Sequence, residues 1–284
     1  FTTRALADLG ATVVKIESTH KPDAARGFLP VWDNEPGLER SALFDTANAG
    51  KLSLALNMNR PEALEVMHDL IGWADVLCDS FSPGKMDSWG LSWEKVQGLN
   101  PRLIMLSTCL TGQSGPTANF AGYGNLGAAL SGFYGLAGWP DRAPSGPFGA
   151  YTDYTSTHFM LTTLLAALDK QRRTGSGEYI DLAQTEAALH FIAPAVLEAS
   201  ATGRLATAIG NDDSDMSPHG GFACLGEDKW VAIAVEDDVQ WTRLCRIIER
   251  PDLEADPEMS SVAGRRAAQT LIELAITEWT STRP

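Results

Sequence analysis

The residue whose surroundings most invite chemistry is Asp153, in the segment AYTDYTSTH of residues 150–158. It follows a glycine-rich stretch and precedes a strongly apolar segment at helical spacing. Two roles fit that position. As a helix N-cap, the side chain would accept hydrogen bonds from the first free N–H groups of the helix. As a nucleophile, a carboxylate kept ionised by the helix N-terminus can attack a carbonyl and form a covalent acyl intermediate. Residue types alone leave both open. Other chemistries find little support. There is no GxGxxG after a strand, no GxxxxGK[ST] and no HExxH. The histidines His20, His68, His158, His190 and His219 lack metal-ligand spacing, and Cys78, Cys109, Cys224 and Cys245 form no CxxC pair. No metal site is expected, and the cysteines are expected to be free thiols.

The elements that would position Asp153 alternate between helix and strand. Residues 2–9 have helical apolar spacing and end at Gly10, and residues 12–16 are a short β-branched run. The theme repeats with a Pro61-led helix over 61–74 and a strand at 75–78, then a helix at 92–98 and a strand at 103–107. This alternation predicts an α/β fold with a parallel sheet and ligands near the carboxyl ends of the strands. A glycine-rich stretch over 111–149 is expected to be mostly loop, with some helix around 126–134. A long helix follows over about 154–171, a turn at 172–177, a strand at 179–182 and a helix at 184–201. The polar segment 202–217 reads as a linker between a large domain, 1–201, and a smaller α+β domain, 218–284. The smaller domain is predicted to hold a hairpin of strands 221–225 and 230–235, with helices at about 239–248 and 263–280.

The chain has 284 residues and a formal net charge of -14, with no cluster of four or more basic residues. Such a charge repels nucleic acid and anionic lipid. A polyanionic ligand would have to be held by a few placed cations. The longest apolar run, residues 159–168, is too short to span a bilayer. No signal-peptide layout opens the sequence, so a cytoplasmic protein is expected.

Several segments, in order, resemble the class III CoA-transferases of the CaiB/BaiF type. They are LADLGATVVKIE at 6–17, NAGK at 48–51 with Ser53, ADVL at 74–77 followed by SFSPG at 80–84, and NPRL at 100–103. Further on stand TGQSGP at 111–116, AGY at 121–123, LAAL at 165–168 with RTGSG at 173–177, and PHG at 218–220. The resemblance runs essentially from end to end. It implies a Rossmann-like CoA-binding large domain, a small α+β domain, an interlocked homodimer, and coenzyme A as co-substrate between an acyl-CoA donor and a carboxylic acid acceptor. It also implies a further strand ahead of residue 1 and further chain after residue 284.

Carried onto this sequence, the resemblance places the acyl-accepting aspartate at Asp153. It places the CoA site at Ser80, Phe81, Lys85 and Trp89, with Arg26 on the CoA phosphates. Of the cations, Lys51, Lys85 and Arg102 are weaker phosphate candidates than Arg26. Gly220, in the segment 211–221 that corresponds to a mobile active-site loop, is implied to approach the intermediate. Its neighbour His219 reads as either a catalytic or a structural histidine. The racemase branch of the family has a His-Asp pair where this chain has Tyr123-Gly124. That favours transfer, with acyl-CoA racemisation and a non-catalytic structural subunit as the alternatives. Where many transferases have Gly-Phe-Gly, this chain has Leu110-Thr111-Gly112, in the lining of the acyl pocket.

Overall fold

The structure is a computed structural model that describes residues 1–284. The chain divides into two compact units. The first comprises residues 1–133 and 146–205, the second residues 134–145 and 206–284.

The first unit is an α/β assembly of parallel strands. β1 (Val14–Glu17) pairs with β2 (Leu52–Ala55), and β4 (Ile104–Cys109) lies between β3 (Val76–Asp79) and β5 (Tyr179–Ala183). The parallel sheet expected from the sequence is thus present as two separate pieces. Ten helices are distributed among the strands. They are α1 (Thr2–Asp8), α2 (Ala42–Asn48), α3 (Pro61–Trp73), α4 (Lys85–Ser88), α5 (Trp93–Leu99), α6 (Gly124–Leu130), α7 (Phe133–Leu136, where the chain passes into the second unit), α8 (Tyr151–Thr174), α9 (Gln184–Leu189) and α10 (Ala193–Thr202).

The central strand β4 explains the layering. Its side chains alternate between two faces. Ile104 and Leu106 pack with Met160, Leu164 and Ala167 of α8, whereas Leu103 and Met105 pack with Met67 and Ile71 of α3 and Val96 of α5. A strand buried on both faces is apolar throughout, as residues 103–106 are. α3 starts with Pro61 in its first turn and buries Ala63, Met67 and Ile71, one residue per turn. α8 buries Thr152, Ser156, Met160, Leu164, Ala167 and Gln171 as a single stripe and ends at Gly175, a left-handed cap (φ 78°). The expected turn at 172–177 is therefore shorter, because Arg172, Arg173 and Thr174 continue the helix. The expected helix over 184–201 is interrupted by a 3-10 turn at His190–Ile192, just ahead of Pro194.

The second unit has its own core. β6 (His219–Ala223) and β7 (Trp230–Ala234) form an antiparallel hairpin with Gly220 opposite Ile233. The helices α11 (Asp238–Ile247), α12 (Pro251–Ala255), α13 (Val262–Ala267) and α14 (Gln269–Thr280) complete the unit. Phe222, Trp241, Leu244, Ile272 and Ile276 are buried together. The helix expected over 263–280 breaks at Ala268, so that Arg265 faces inward. It is fully buried, and its Nε donates to the Ser217 carbonyl (2.8 Å).

Candidate active site

Asp153 is the third residue of α8, inside the first turn rather than ahead of it. The N-cap is Ala150, which has no side chain capable of capping. The carboxylate does not serve its own helix. Its Oδ2 accepts the backbone N–H of Gly124, the first residue of α6 (3.2 Å). That contact requires the α6 backbone to lie against the start of α8. A Cβ on Gly124 would stand 2.6 Å from the carbonyl carbon and oxygen of Ala150, and 2.7 Å from the Asp153 nitrogen. One on Gly127 would stand 2.4 Å from Thr152 Oγ1. The two glycines thus let a helix N-terminus meet a helix N-terminus at backbone distance. Thr152, fully buried, anchors the junction. Its hydroxyl lies 2.9 Å from Gln184 Oε1 and 3.2 Å from the Gly124 carbonyl. The result is a carboxylate with one oxygen held, at the positive end of a 24-residue helix.

Tyr123, the residue before Gly124, is 61% exposed, and Phe28 meets it edge-on with ring centroids 5.9 Å apart. Neither Phe28 nor the Gly124 N–H was singled out by sequence pattern. A glycine in a glycine-rich stretch and a Phe in a loop carry no periodic signal. The only sequence mark was the replacement of a His-Asp pair by Tyr123-Gly124.

A second cluster sits at the carboxyl ends of β3 and β4. Asp79 ends β3, and Ser80 and Phe81 follow. Asp79 Oδ1 accepts the Phe81 N–H (3.1 Å), and Oδ2 accepts the Ser107 hydroxyl (2.6 Å). Burial pushes the Asp79 carboxyl above its ordinary value, against the downward pull of those two hydrogen bonds. Phe81 is 44% exposed and meets Trp89 edge-on at 5.1 Å, while Lys85 Nζ stands 4.4 Å from the centre of the Trp89 ring. Phe81, Lys85 and Trp89 are therefore brought together. An exposed aromatic face beside a cation is the surface that a flat heterocycle bearing phosphates requires.

Arg26 lies elsewhere in the hydrogen-bonding scheme. Its Nε and Nη2 grip Glu17 (2.7 and 3.2 Å), and Nη1 reaches the Leu38 carbonyl (2.8 Å) and Glu39 (2.7 Å). The guanidinium also lies 3.7 Å from the centre of the Phe44 ring. These contacts occupy the greater part of its donor capacity. Lys51 is half-buried against Asn48 Oδ1 (3.0 Å), and burial together with the Lys15 charge lowers it to about 8. Arg102 stands just before the amino end of β4, the opposite end of the strand from the Phe81 cluster, which rules out a shared phosphate site with Lys85.

Gly220 and His219 belong to the second unit. Gly220 is an ordinary strand residue of β6, and a Cβ there would meet nothing closer than Phe222 at 3.5 Å. Packing in this unit does not demand a glycine. His219 Nδ1 is hydrogen-bonded to the Asn211 carbonyl, which leaves Nε2 as the free ring acceptor. The segment ahead of it is tied down, with Asp212, Ser214 and Ser217 held by Gln269, Arg266 and Arg265 respectively.

The sequence model of CoA-transferase family III matches residues 1–284. The chain belongs to CoA-transferase family III. This is a family of enzymes, and the named relatives agree. The chain is 32% identical over 285 residues to the acetyl-CoA:oxalate CoA-transferase of Acetobacter aceti, covering 100% of this chain and 72% of that protein. It is 29% identical over 275 residues to the succinyl-CoA–D-citramalate CoA-transferase of Chloroflexus aurantiacus, covering 97% of this chain and 67% of that protein. Among solved structures, a CaiB/BaiF family protein from Brucella suis matches with a TM-score of 0.84 and 28% identity, over 100% of this chain and 74% of that one. Membership of family III accounts for the parallel α/β architecture. No helix of the chain is long and apolar enough to cross a membrane.

Proposed function

We propose that this family III chain transfers coenzyme A from an acyl-CoA donor to a carboxylic acid acceptor through covalent intermediates on Asp153. The observation that carries this reading is the engagement of the Asp153 carboxylate. It leaves its own helix end uncapped and is held through Oδ2 by the Gly124 N–H, which presents the other oxygen as a nucleophile.

The steps balance without an external base. Asp153 attacks the donor thioester carbonyl, a C–O bond forms, the C–S bond breaks, and a mixed anhydride and CoA thiolate result. The thiolate attacks the Asp153 acyl carbon, and the donor leaves as its carboxylate, giving an aspartyl-CoA thioester. The acceptor carboxylate attacks that thioester and displaces the thiolate. The thiolate then takes the acceptor's acyl group and frees Asp153. CoA stays bound throughout, at Ser80, Phe81, Lys85 and Trp89, and this binding keeps the reacting atoms in place. Backbone N–H groups are assigned to the developing oxyanions, and the working assembly is a homodimer.

The test is intact-protein mass spectrometry of the full-length protein with a panel of acyl-CoAs, with and without hydroxylamine, on wild type and Asp153→Ala. A hydroxylamine-sensitive adduct on wild type alone is expected. Absence of any adduct despite CoA binding would sink the covalent mechanism. Deuterium wash-in at the α-carbon of an acyl-CoA without acceptor would instead mark a racemase.

A further inference from the structure

The family reading absorbs Asp153 and the Phe81 cluster but leaves unused Gln113, which joins the loop after β3 and the turn after β4 to β5. Its backbone N–H donates to both oxygens of Asp181 in β5 (2.9 and 3.0 Å). Its side-chain Nε2 donates to the Phe81 carbonyl (3.0 Å). The turn that delivers it is itself fixed. Gly112 adopts a left-handed conformation (φ +87°), with Ala183 and Asp181 within 3.5 to 3.7 Å of its missing Cβ. The Cys109 thiol, at the end of β4, donates to the Gly112 carbonyl (2.9 Å).

Phe81 is thereby held from two sides. Its N–H goes to Asp79 on β3 and its C=O to Gln113 beyond β4, so both backbone polar groups of an exposed loop residue are bound by side chains. A loop without such bonds exchanges conformations in water, and ordering it on ligand binding weakens affinity. The edge-on contact of Phe81 with Trp89, whose ring face Lys85 Nζ overlies, depends on where that backbone is held.

We propose that Gln113 is a positioning residue of the CoA site, a strap from β5 through the 111–116 turn that fixes the Phe81 backbone so that the Phe81–Trp89–Lys85 surface is pre-formed. The proposal rests on the reading of that surface as the CoA site. Gln113 touches no reacting atom, so its loss acts on binding and spares the chemical step.

The experiment uses the full-length protein with free CoA as the calorimetric probe, and steady-state kinetics with the donor identified by the adduct panel. Gln113→Glu keeps the size and removes the donor, Gln113→Ala removes the strap, and Gln113→Lys restores a donor of similar reach. Roughly 5- to 30-fold weaker CoA binding is expected for Glu and Ala, with KM for the acyl-CoA rising in step and kcat held within about 2-fold. The Lys variant is expected to stay within about 3-fold of wild type. Unchanged CoA affinity in Gln113→Glu, or a fall in kcat at constant KM, overturns the strap. A Lys variant as weak as Ala overturns it too, since the donor would then not be what matters. Failure of the wild type itself to bind CoA overturns the site reading instead, and the two failures are told apart by which protein loses binding.

Discussion

At the scale of single residues, the Asp153 junction is a backbone contact as much as a side-chain one. A methyl group on Gly124 has no room beside Ala150 and Asp153, with two contacts of 2.6 Å and one of 2.7 Å, so the start of α6 or of α8 must shift. Gly124→Ala is expected to lower stability by ~1–3 kcal/mol, as overpacking does elsewhere. It is also expected to slow acylation of Asp153 by more than any effect on CoA affinity. Urea unfolding measures the first effect and the rate of adduct formation the second. Acylation at the wild-type rate would show that the Gly124 hydrogen bond is incidental. Thr152→Val keeps the shape and removes the fully buried hydroxyl that joins Gln184 to the Gly124 carbonyl. A loss of ~1–3 kcal/mol is expected, because those partners are left unsatisfied. Asp153 stands out in the sequence by its place ahead of an apolar helix, with capping and nucleophilic roles both open, but the group that holds its carboxylate does not. Gly124 lies 29 residues earlier in the chain. The stripe that turns Thr152 and Ser156 inward is polar at its start, and an apolar pattern has no means of flagging it.

At the scale of elements, the carboxyl ends of the strands carry two groups of carboxylates with opposite responses to pH. At the end of β1, burial alone would raise Glu17, but hydrogen bonds from Arg26 and the Asp23 N–H, with the charges of Arg26 and Lys15, hold it below its ordinary 4.5. Asp23 is likewise held below 3.8, with burial opposed by Lys15 and the Ala25 N–H. A lowered folded value means that the stabilisation is present above the unfolded value and is lost as pH falls through the folded one. At the end of β3, Asp79 has the reverse sign. Its raised value makes the folded state bind the proton more tightly, so that stabilisation is present below the ordinary 3.8 and is lost as pH rises through the folded value. Arg26→Met is expected to lower stability by up to about 3 kcal/mol near neutral pH, since it leaves Glu17 enclosed without its cation. It should also flatten the acid limb of the stability curve. Asp79→Asn is expected to flatten the opposite slope, seen as a smaller decline in midpoint as pH rises above the ordinary 3.8. Both follow from denaturant midpoints taken across pH, and identical pH profiles for wild type and variants would refute the assignment. β1, β3, β4 and β5 were readable as short apolar runs alternating with helices, whereas β2 (LSLA, largely exposed) carries no pattern that marks it and was missed. The separation of β1–β2 from β3–β4–β5 was not readable either, because pairing depends on neighbours remote in sequence.

At the scale of the whole molecule, the chain passes from the first unit into the second, back, and into the second again. One division of the chain, at 205/206, lies in the polar segment 202–217. No composition shift marks residues 134–145 as part of the second unit. They are held there by contacts distant in sequence, with the Gly138 carbonyl accepting the Gly210 N–H (2.9 Å) and the Trp139 ring 2.5 Å from where a Gly210 Cβ would stand. Each unit nonetheless has its own buried core, built around Leu164, Ile104 and Leu106 in one and around Ile272, Ile276 and Trp241 in the other. Chains with two cores commonly depart from two-state unfolding. Removing a fully buried Leu or Ile side chain lowers the stability of the core that contained it by ~2–5 kcal/mol. Leu164→Ala and Ile272→Ala are therefore expected to shift different components of the calorimetric unfolding profile, each leaving the other in place. If instead both substitutions move one common transition by similar amounts, the two cores unfold as a single cooperative body, and the division of the chain describes packing alone.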